Sequence, residues 1–226
     1  MSLPACDVEG FVLAGGRSSR MGQDKALIQL RGRPLVQHAL DILRGAGLDA
    51  RIGGAHADLS AFAHVVSDDS GRAGLGPLAG ICAALAACER RFAVFLPVDL
   101  PLIPAGLIEY LIHHAVVTGA AVTVVSVAGF TQTFPAIIDR EAVTDLRARL
   151  DSEDRNCLKA FRSAGAALPG GFTALQVELL VQPGQVRHPR GLYPAQWFLN
   201  VNSPEDLEVA ESLATERPIL LDLEWR

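Results

Sequence analysis

Residues Gly10–Gln29 read GFVLAGGRSSRMGQDKALIQ, and their order decides what kind of chain this is. Phe11-Val12-Leu13 is a short apolar run that leads directly into Ala14-Gly15-Gly16. Such a run is expected of a strand buried on both faces of a parallel sheet, and the carboxyl ends of such strands are where open α/β sheets hold ligands. Glycines at 15 and 16 let backbone N–H groups come close to an anion or a base edge. Arg17, Arg20 and Lys25 add positive charge in the same loop, enough to face several phosphates. The stretch points to binding of a nucleoside triphosphate.

Two common phosphate loops do not fit it. A Walker A loop needs Gly-Lys adjacent and then Ser or Thr, whose hydroxyl reaches a metal. Here Gln23-Asp24 separates Gly22 from Lys25, and Ala26 follows the lysine. The dinucleotide fingerprint G-x-G-x-x-G fails as well, because Gly15-Gly16 lacks partners at that spacing.

Outward from the loop, composition sets the bounds. The 226 residues are 50% hydrophobic and 20% charged, which suffices for a sizeable core. A net charge of −5 excludes a general basic footprint for nucleic acid, so polyanion binding must be local. Met1–Asp7 lacks the basic and apolar regions of a secretory signal. Tyr110–Ile138 carries no Asp, Glu, Lys or Arg, but His113, His114, Gly119 and Pro135 interrupt it, so it reads as buried core rather than a membrane span. Cys6, Cys82, Cys88 and Cys157 show no C-x-x-C spacing, which argues against zinc and against a disulfide framework. A reducing cytoplasm is the expected location.

Along the chain, Ala26–Leu30 is expected to be a short extended segment closed by a turn at Arg31-Gly32-Arg33. Pro34 opens a helix with Leu35, Ala39, Leu40 and Leu43 on its apolar face. Asp49–Gly53, His64–Ser67 and Phe92–Val98 read as strands, and Pro77–Cys88 and Pro104–His114 as helices. Ala120–Val127 and Phe134–Ile138 are further strands, joined around Gly129. Glu141–Leu150 and Asn156–Ser163 look helical, Thr173–Val181 looks like a strand, and Pro183–Pro194 looks like a loop. Ser203-Pro204-Glu205-Asp206 is a capping-box helix start. The expected fold is α/β: a single domain over residues 1–226, with a doubly wound, mostly parallel Rossmann-like sheet flanked by helices.

Leu13–Lys25 carries L-A-G-G-x-S-x-R-M-G-x-D-K, with every defined position filled, and in this it resembles the molybdenum cofactor guanylyltransferases. Asp69–Gly80 is similar to that family's D-S-x(5)-G-P-L-x-G, and Phe198–Glu205 to its F-x-N-V-N-[ST]-P-E. The resemblance implies a nucleotidyltransferase-type fold and transfer of GMP from GTP to molybdopterin, releasing pyrophosphate. It implies that Leu13, Ala14, Gly15, Gly16, Lys25, Asp69 and Gly76 bind GTP and that Arg20 and Lys25 neutralise the triphosphate. Asp99, emerging from the Phe92–Val98 strand into a D-x-P setting, is by the same resemblance the Mg²⁺ ligand. One carboxylate with substrate phosphates and waters is a common way to hold that ion. Asn200 and Asn202 would lie on the acceptor side, and cofactor-delivering or cofactor-accepting proteins would be partners.

Related cytidylyltransferases usually read L-A-A-G, so Gly15 favours the larger purine base. Three departures concern the acceptor side: Gly53 where the family often has Asn, Phe134-Pro135-Ala136 in place of His-Pro-Thr, and an apparent insertion at about 168–195. The alternatives are a nucleotidyltransferase using CTP or another phosphate acceptor, and a nucleotide-binding accessory protein without turnover. An intact Asp99 argues against the second.

Overall fold

The computed structural model describes residues 7–14, 24–54, 57–66, 75–152 and 155–215. The apolar run opening the chain forms β1 (Val8–Leu13), and it lies inside an eight-stranded sheet. Its partners are β4 (Ala50–Gly53) and β6 (Phe92–Pro97), both parallel to it. β5 (Val65–Val66) continues the parallel half beside β4. On the other side, β9 (Ala136–Asp139) runs antiparallel between β6 and β7 (Val122–Val127). β10 (Phe172–Gln176) then pairs parallel with β7 at the far edge, giving the order β10-β7-β9-β6-β1-β4-β5. The short β8 (Phe130–Thr131) folds back on β7 through Ala128-Gly129.

The alternation of side chains along each strand sorts the core into two layers. Val8 and Val12 of β1 and Phe92, Val94 and Leu96 of β6 face one apolar cluster. Phe11, Leu13, Ala93 and Phe95 face the other, where the Phe11 and Phe95 rings stack at 5.7 Å. Helices α1 (Leu35–Gly45) and α3 (Ala105–Thr118) cover the first layer, while α2 (Pro77–Ala87), α4 (Val143–Leu150) and α5 (Cys157–Ala167) cover the second. Leu78 through Leu85 of α2 are all buried, so small residues there let the helix lie close on the sheet.

Several elements differ in detail from the sequence expectation. Lys25–Leu27 is a 3₁₀ turn rather than extended chain, and only Gln29–Leu30 (β2) pairs, with Arg33–Pro34 (β3). Arg31 and Gly32 supply the two positive φ angles, 53° and 72°, that a tight hairpin of this hand needs. α3 continues past His114 to Thr118 and stops at Gly119, which takes the left-handed conformation. Residues 173–181 divide into the end of β10 and a short helix, α6 (Val177–Val181), which buries Val177 and Leu180 one helical turn apart. The span 168–195 therefore holds a sheet strand and a helix, and its loop is confined to the stretch before α7 (Pro194–Trp197). Among the described residues no helix is long and apolar enough to cross a membrane.

Candidate functional site

The parallel strands deliver their carboxyl ends to one edge. Val98 N donates to the Leu13 carbonyl at 3.1 Å, extending the β1–β6 pairing by one residue and placing Asp99 just beyond it. The Asp99 carbonyl in turn accepts from Val201 N at 3.0 Å. That bond brings a segment from 102 positions later in the chain to the end of β6 and sets Asn202 beside it. Asn202 is held from its other side too. The Asp206 carboxylate accepts from the N–H groups of Asn202 and Ser203, both at 2.9 Å, and Asp206 N donates to Ser203 Oγ at 3.2 Å. This is a reciprocal capping box at the start of α8 (Pro204–Thr215). The Asn202 N–H first, then Ser203, hold the Asp206 carboxyl below its ordinary range.

Lys25 meets these residues from the other side. Asp24 caps the 3₁₀ turn, its Oδ1 accepting from Ala26 N at 3.0 Å, which fixes the backbone from which Lys25 projects. Lys25 Nζ then donates to Asp99 Oδ2 at 2.8 Å and to Asn202 Oδ1 at 2.5 Å. The Lys25 and Asp99 side chains are 14% and 23% exposed, so the pair is only partly screened by water. Three remote segments thus converge on one ammonium.

The other expected site residues fall into three groups. Leu13 and Ala14 are buried under the edge, and Ala14 N donates to the Gly53 carbonyl at 3.0 Å. Gly76 caps α2 with φ 92°, and open space lies where a Cβ would point. Gly15, Gly16, Arg20 and Asp69 lie outside the described residues. Asn200 turns its amide back to the Phe198 carbonyl at 3.3 Å, while the Lys25 ammonium bonds Asp99 and Asn202. Of the departures on the acceptor side, Gly53 is the buried end of β4, and Phe134 packs edge-on against Phe161 at 6.0 Å. Sequence reasoning passed over Asp24 as a positioning residue. Its signal was an Asx residue immediately before the lysine.

Among the described residues no group of three His, Cys, Asp or Glu side chains could hold a metal by itself. The donor set that is present consists of two oxygens, Asp99 Oδ2 and Asn202 Oδ1, directed at a single cation. Hard oxygen donors of this kind suit a divalent metal that takes its remaining ligands from phosphates and water.

A model of the MobA-like NTP transferase domain matches residues 10–167. The chain belongs to that family. A molybdenum cofactor guanylyltransferase from Xanthomonas euvesicatoria pv. vesicatoria is 35% identical over 198 residues, 87% of this chain and 90% of its own. Another bearing that name, from Rhizobium meliloti, is 30% identical and covers 89% of each chain. Among solved structures, molybdopterin-guanine dinucleotide biosynthesis protein A from Archaeoglobus fulgidus superposes with a TM-score of 0.72 at 21% identity, over 91% of this chain and 98% of its own. That likeness is one of fold. The fold is the nucleotidyltransferase type, and nucleotidyltransferases of this MobA-like family use a divalent metal.

Proposed function

We propose that this protein transfers GMP from GTP to the terminal phosphate of molybdopterin, forming the guanine dinucleotide form of the molybdenum cofactor. The observation that carries the reading is the Lys25 ammonium bridging Asp99 Oδ2 and Asn202 Oδ1, because it unites the end of the first family motif and the middle of the last with the residue that follows the β6 strand. The relatives' names, at 30% and 35% identity over most of the chain, support the same substrates.

In the reaction an oxygen of the acceptor phosphate attacks the α-phosphorus of GTP. A new P–O–P bond forms, the bond from the α-phosphorus to its bridging oxygen breaks, and that electron pair leaves with pyrophosphate. No protein nucleophile is needed, so catalysis is positioning and charge stabilisation. Lys25, with Arg20 five positions before it in sequence, neutralises the triphosphate. Asp99 and Asn202 are the residues that would hold Mg²⁺, which when bound screens the charge gathering on the phosphate oxygens. When nucleotide enters, Lys25 exchanges its contact with Asp99 for phosphate oxygens. Gly15, Gly16, Asp69 and Gly76 serve the nucleotide, with Gly15 leaving room for guanine. Asn200 lies toward the acceptor.

We read residues 1–226 as one nucleotidyltransferase domain with 168–195 as an added segment. Its place is the cytoplasm, where proteins that deliver or accept the cofactor are its partners. The test is pyrophosphate release with Mg²⁺ and molybdopterin, GTP and CTP in parallel. Release with GTP alone is expected. Release with CTP alone would keep the chemistry and overturn the base assignment, and no release with either would remove the acceptor.

A further inference from the structure

The loop between α6 and α7 is fixed far more firmly than a solvated connection requires. Val186 and Leu192 are buried, Val186 N donates to the Leu180 carbonyl at 3.1 Å, and Trp197 Nε1 donates to the Leu192 carbonyl at 2.8 Å. His188 uses both ring nitrogens: Nε2 on the Leu102 carbonyl at 3.2 Å, and Nδ1 accepting from Arg190 N at 3.1 Å. Leu102 lies three residues beyond Asp99, so the imidazole ties this loop to the segment that follows the end of β6. The direction of the strands places the loop as well. β10 runs parallel to β7, and both run with β6 and β1, because β9 is antiparallel to each of its neighbours. Chain leaving β10 therefore emerges at the edge that carries Asp99, on the side away from β4 and β5.

Charge singles out the same region. Between residues 155 and 204 there are five Arg and Lys residues (Arg155, Lys159, Arg162, Arg187, Arg190) against one carboxylate, Glu178, in a chain of net charge −5. Arg162 is engaged, over the Phe172 ring at 5.0 Å and on Thr131 Oγ1 at 3.3 Å. Arg187 and Arg190 are exposed, and neither has an ion-pair partner among the described residues. The Arg187 guanidinium lies over the backbone at Gly184. A Cβ built on Gly184, whose φ is +73°, would meet its terminal nitrogen at 2.7 Å and its Nε at 3.1 Å. A planar fork held on a rigid loop is suited to a phosphate oxygen pair.

We infer that the loop carrying Arg187 and Arg190 is an anion clamp for the second substrate, taking the phosphate-bearing end of the acceptor while the nucleotide occupies the β1–β4–β5 side. His188 is a positioning residue within it. The inference rests on the nucleotidyl-transfer reading and adds to it a set of residues beyond the span 10–167 that the family model matches. Loops held by a rigid scaffold are where such recognition is placed.

The test compares the intact protein with the Arg187→Ser/Arg190→Ser double variant and with Arg90→Ser, a charge control just before β6 at the opposite sheet edge. Equilibrium binding of molybdopterin is measured anaerobically without nucleotide, beside a pterin lacking the phosphate. The double variant is expected to bind molybdopterin about tenfold or more weakly, the loss expected for charge-assisted hydrogen bonds. Its binding of GTP and of the phosphate-free pterin should stay within about twofold, with Arg90→Ser unchanged throughout. Equal molybdopterin affinity in the double variant overturns the clamp, as does an intact protein that does not bind molybdopterin. Pyrophosphate release by the intact protein is scored separately. Turnover with an undiminished double variant would sink the clamp alone, whereas binding without turnover would sink the reaction and leave the clamp standing.

Discussion

Lys25 is held by two oxygen donors of the kind that suit a divalent cation. Its ammonium lies on Asp99 Oδ2 and Asn202 Oδ1, so both oxygens have a donor and the Asp99 carboxylate faces an opposite charge. Replacing Asp99 by asparagine keeps the shape and removes the charge. Turnover should then fall by about a hundredfold or more, as when preorganised charge is removed from a reacting centre. The same change should cost only about 1 kcal/mol of stability, because Lys25 loses one charged partner but keeps Asn202 and some contact with water. Steady-state pyrophosphate release and urea unfolding on the same sample check both halves. Unaltered turnover in Asp99→Asn would exclude Asp99 as the metal residue. Lys25, Asp99 and Asn202 stood out in sequence because each sits at a fixed place in a motif or at the end of an apolar run, with Asn202 expected on the acceptor side. The contact that assembles them did not. The bond from Val201 N to the Asp99 carbonyl joins backbone positions far apart in the chain, and it has no residue-type signature.

At the scale of elements, the start of α8 is the part that couples stability to the site. Ser203 Oγ accepts from Asp206 N, and the Asp206 carboxylate returns two bonds, one of them to the N–H of Asn202. Ser203→Ala should therefore cost about 1 kcal/mol, the usual loss for an N-cap side chain. It should lower the urea midpoint at constant slope, and it should weaken Mg²⁺–GTP binding severalfold because Asn202 loses part of its support. A lower midpoint with unaltered nucleotide affinity would show that α8 steadies itself and not the site. This capping box was readable from Ser-Pro-Glu-Asp, as β1 and β6 were from uninterrupted apolar runs. The division of 173–181 into β10 and α6 was not, since Val177 and Leu180 give a single helical spacing too short to stand out from a strand. α3 was read to about His114, four residues short of Thr118, and Gly119, which already interrupts the apolar stretch in sequence, is the physical stop.

For the whole molecule, the titratable groups shifted from their ordinary values set a stability window with a different cause at each limit. Burial holds His114 below its usual value, and His113 adds to the effect; burial also lowers His188, with the Arg190 charge opposing the help of the Leu102 carbonyl. A histidine whose folded pKa is depressed favours the neutral folded state. Stability is therefore full above the unfolded value of about 6.5 and is lost as pH falls from there toward the lower folded values. Asp41, Glu205 and Asp206 are all held low, so their contribution fails only when pH drops below about 4, the unfolded carboxylate range. The alkaline side belongs to the thiols. Burial and then Glu9 push Cys88 up to about 12, and burial pushes Cys157 up to about 11. Both stay protonated when folded, so stability is lost as pH rises from the unfolded thiol value near 9 through those values. Urea midpoints measured from pH 4.5 to 10.5 should be flat between about 7 and 8.5 and should decline on both sides. The assignment is separable by variant: Cys88→Ala should reduce the alkaline decline and leave the acid one, whereas His188→Gln should do the reverse. An alkaline decline that persists undiminished when Cys88 and Cys157 are both replaced would place its cause outside the two thiols.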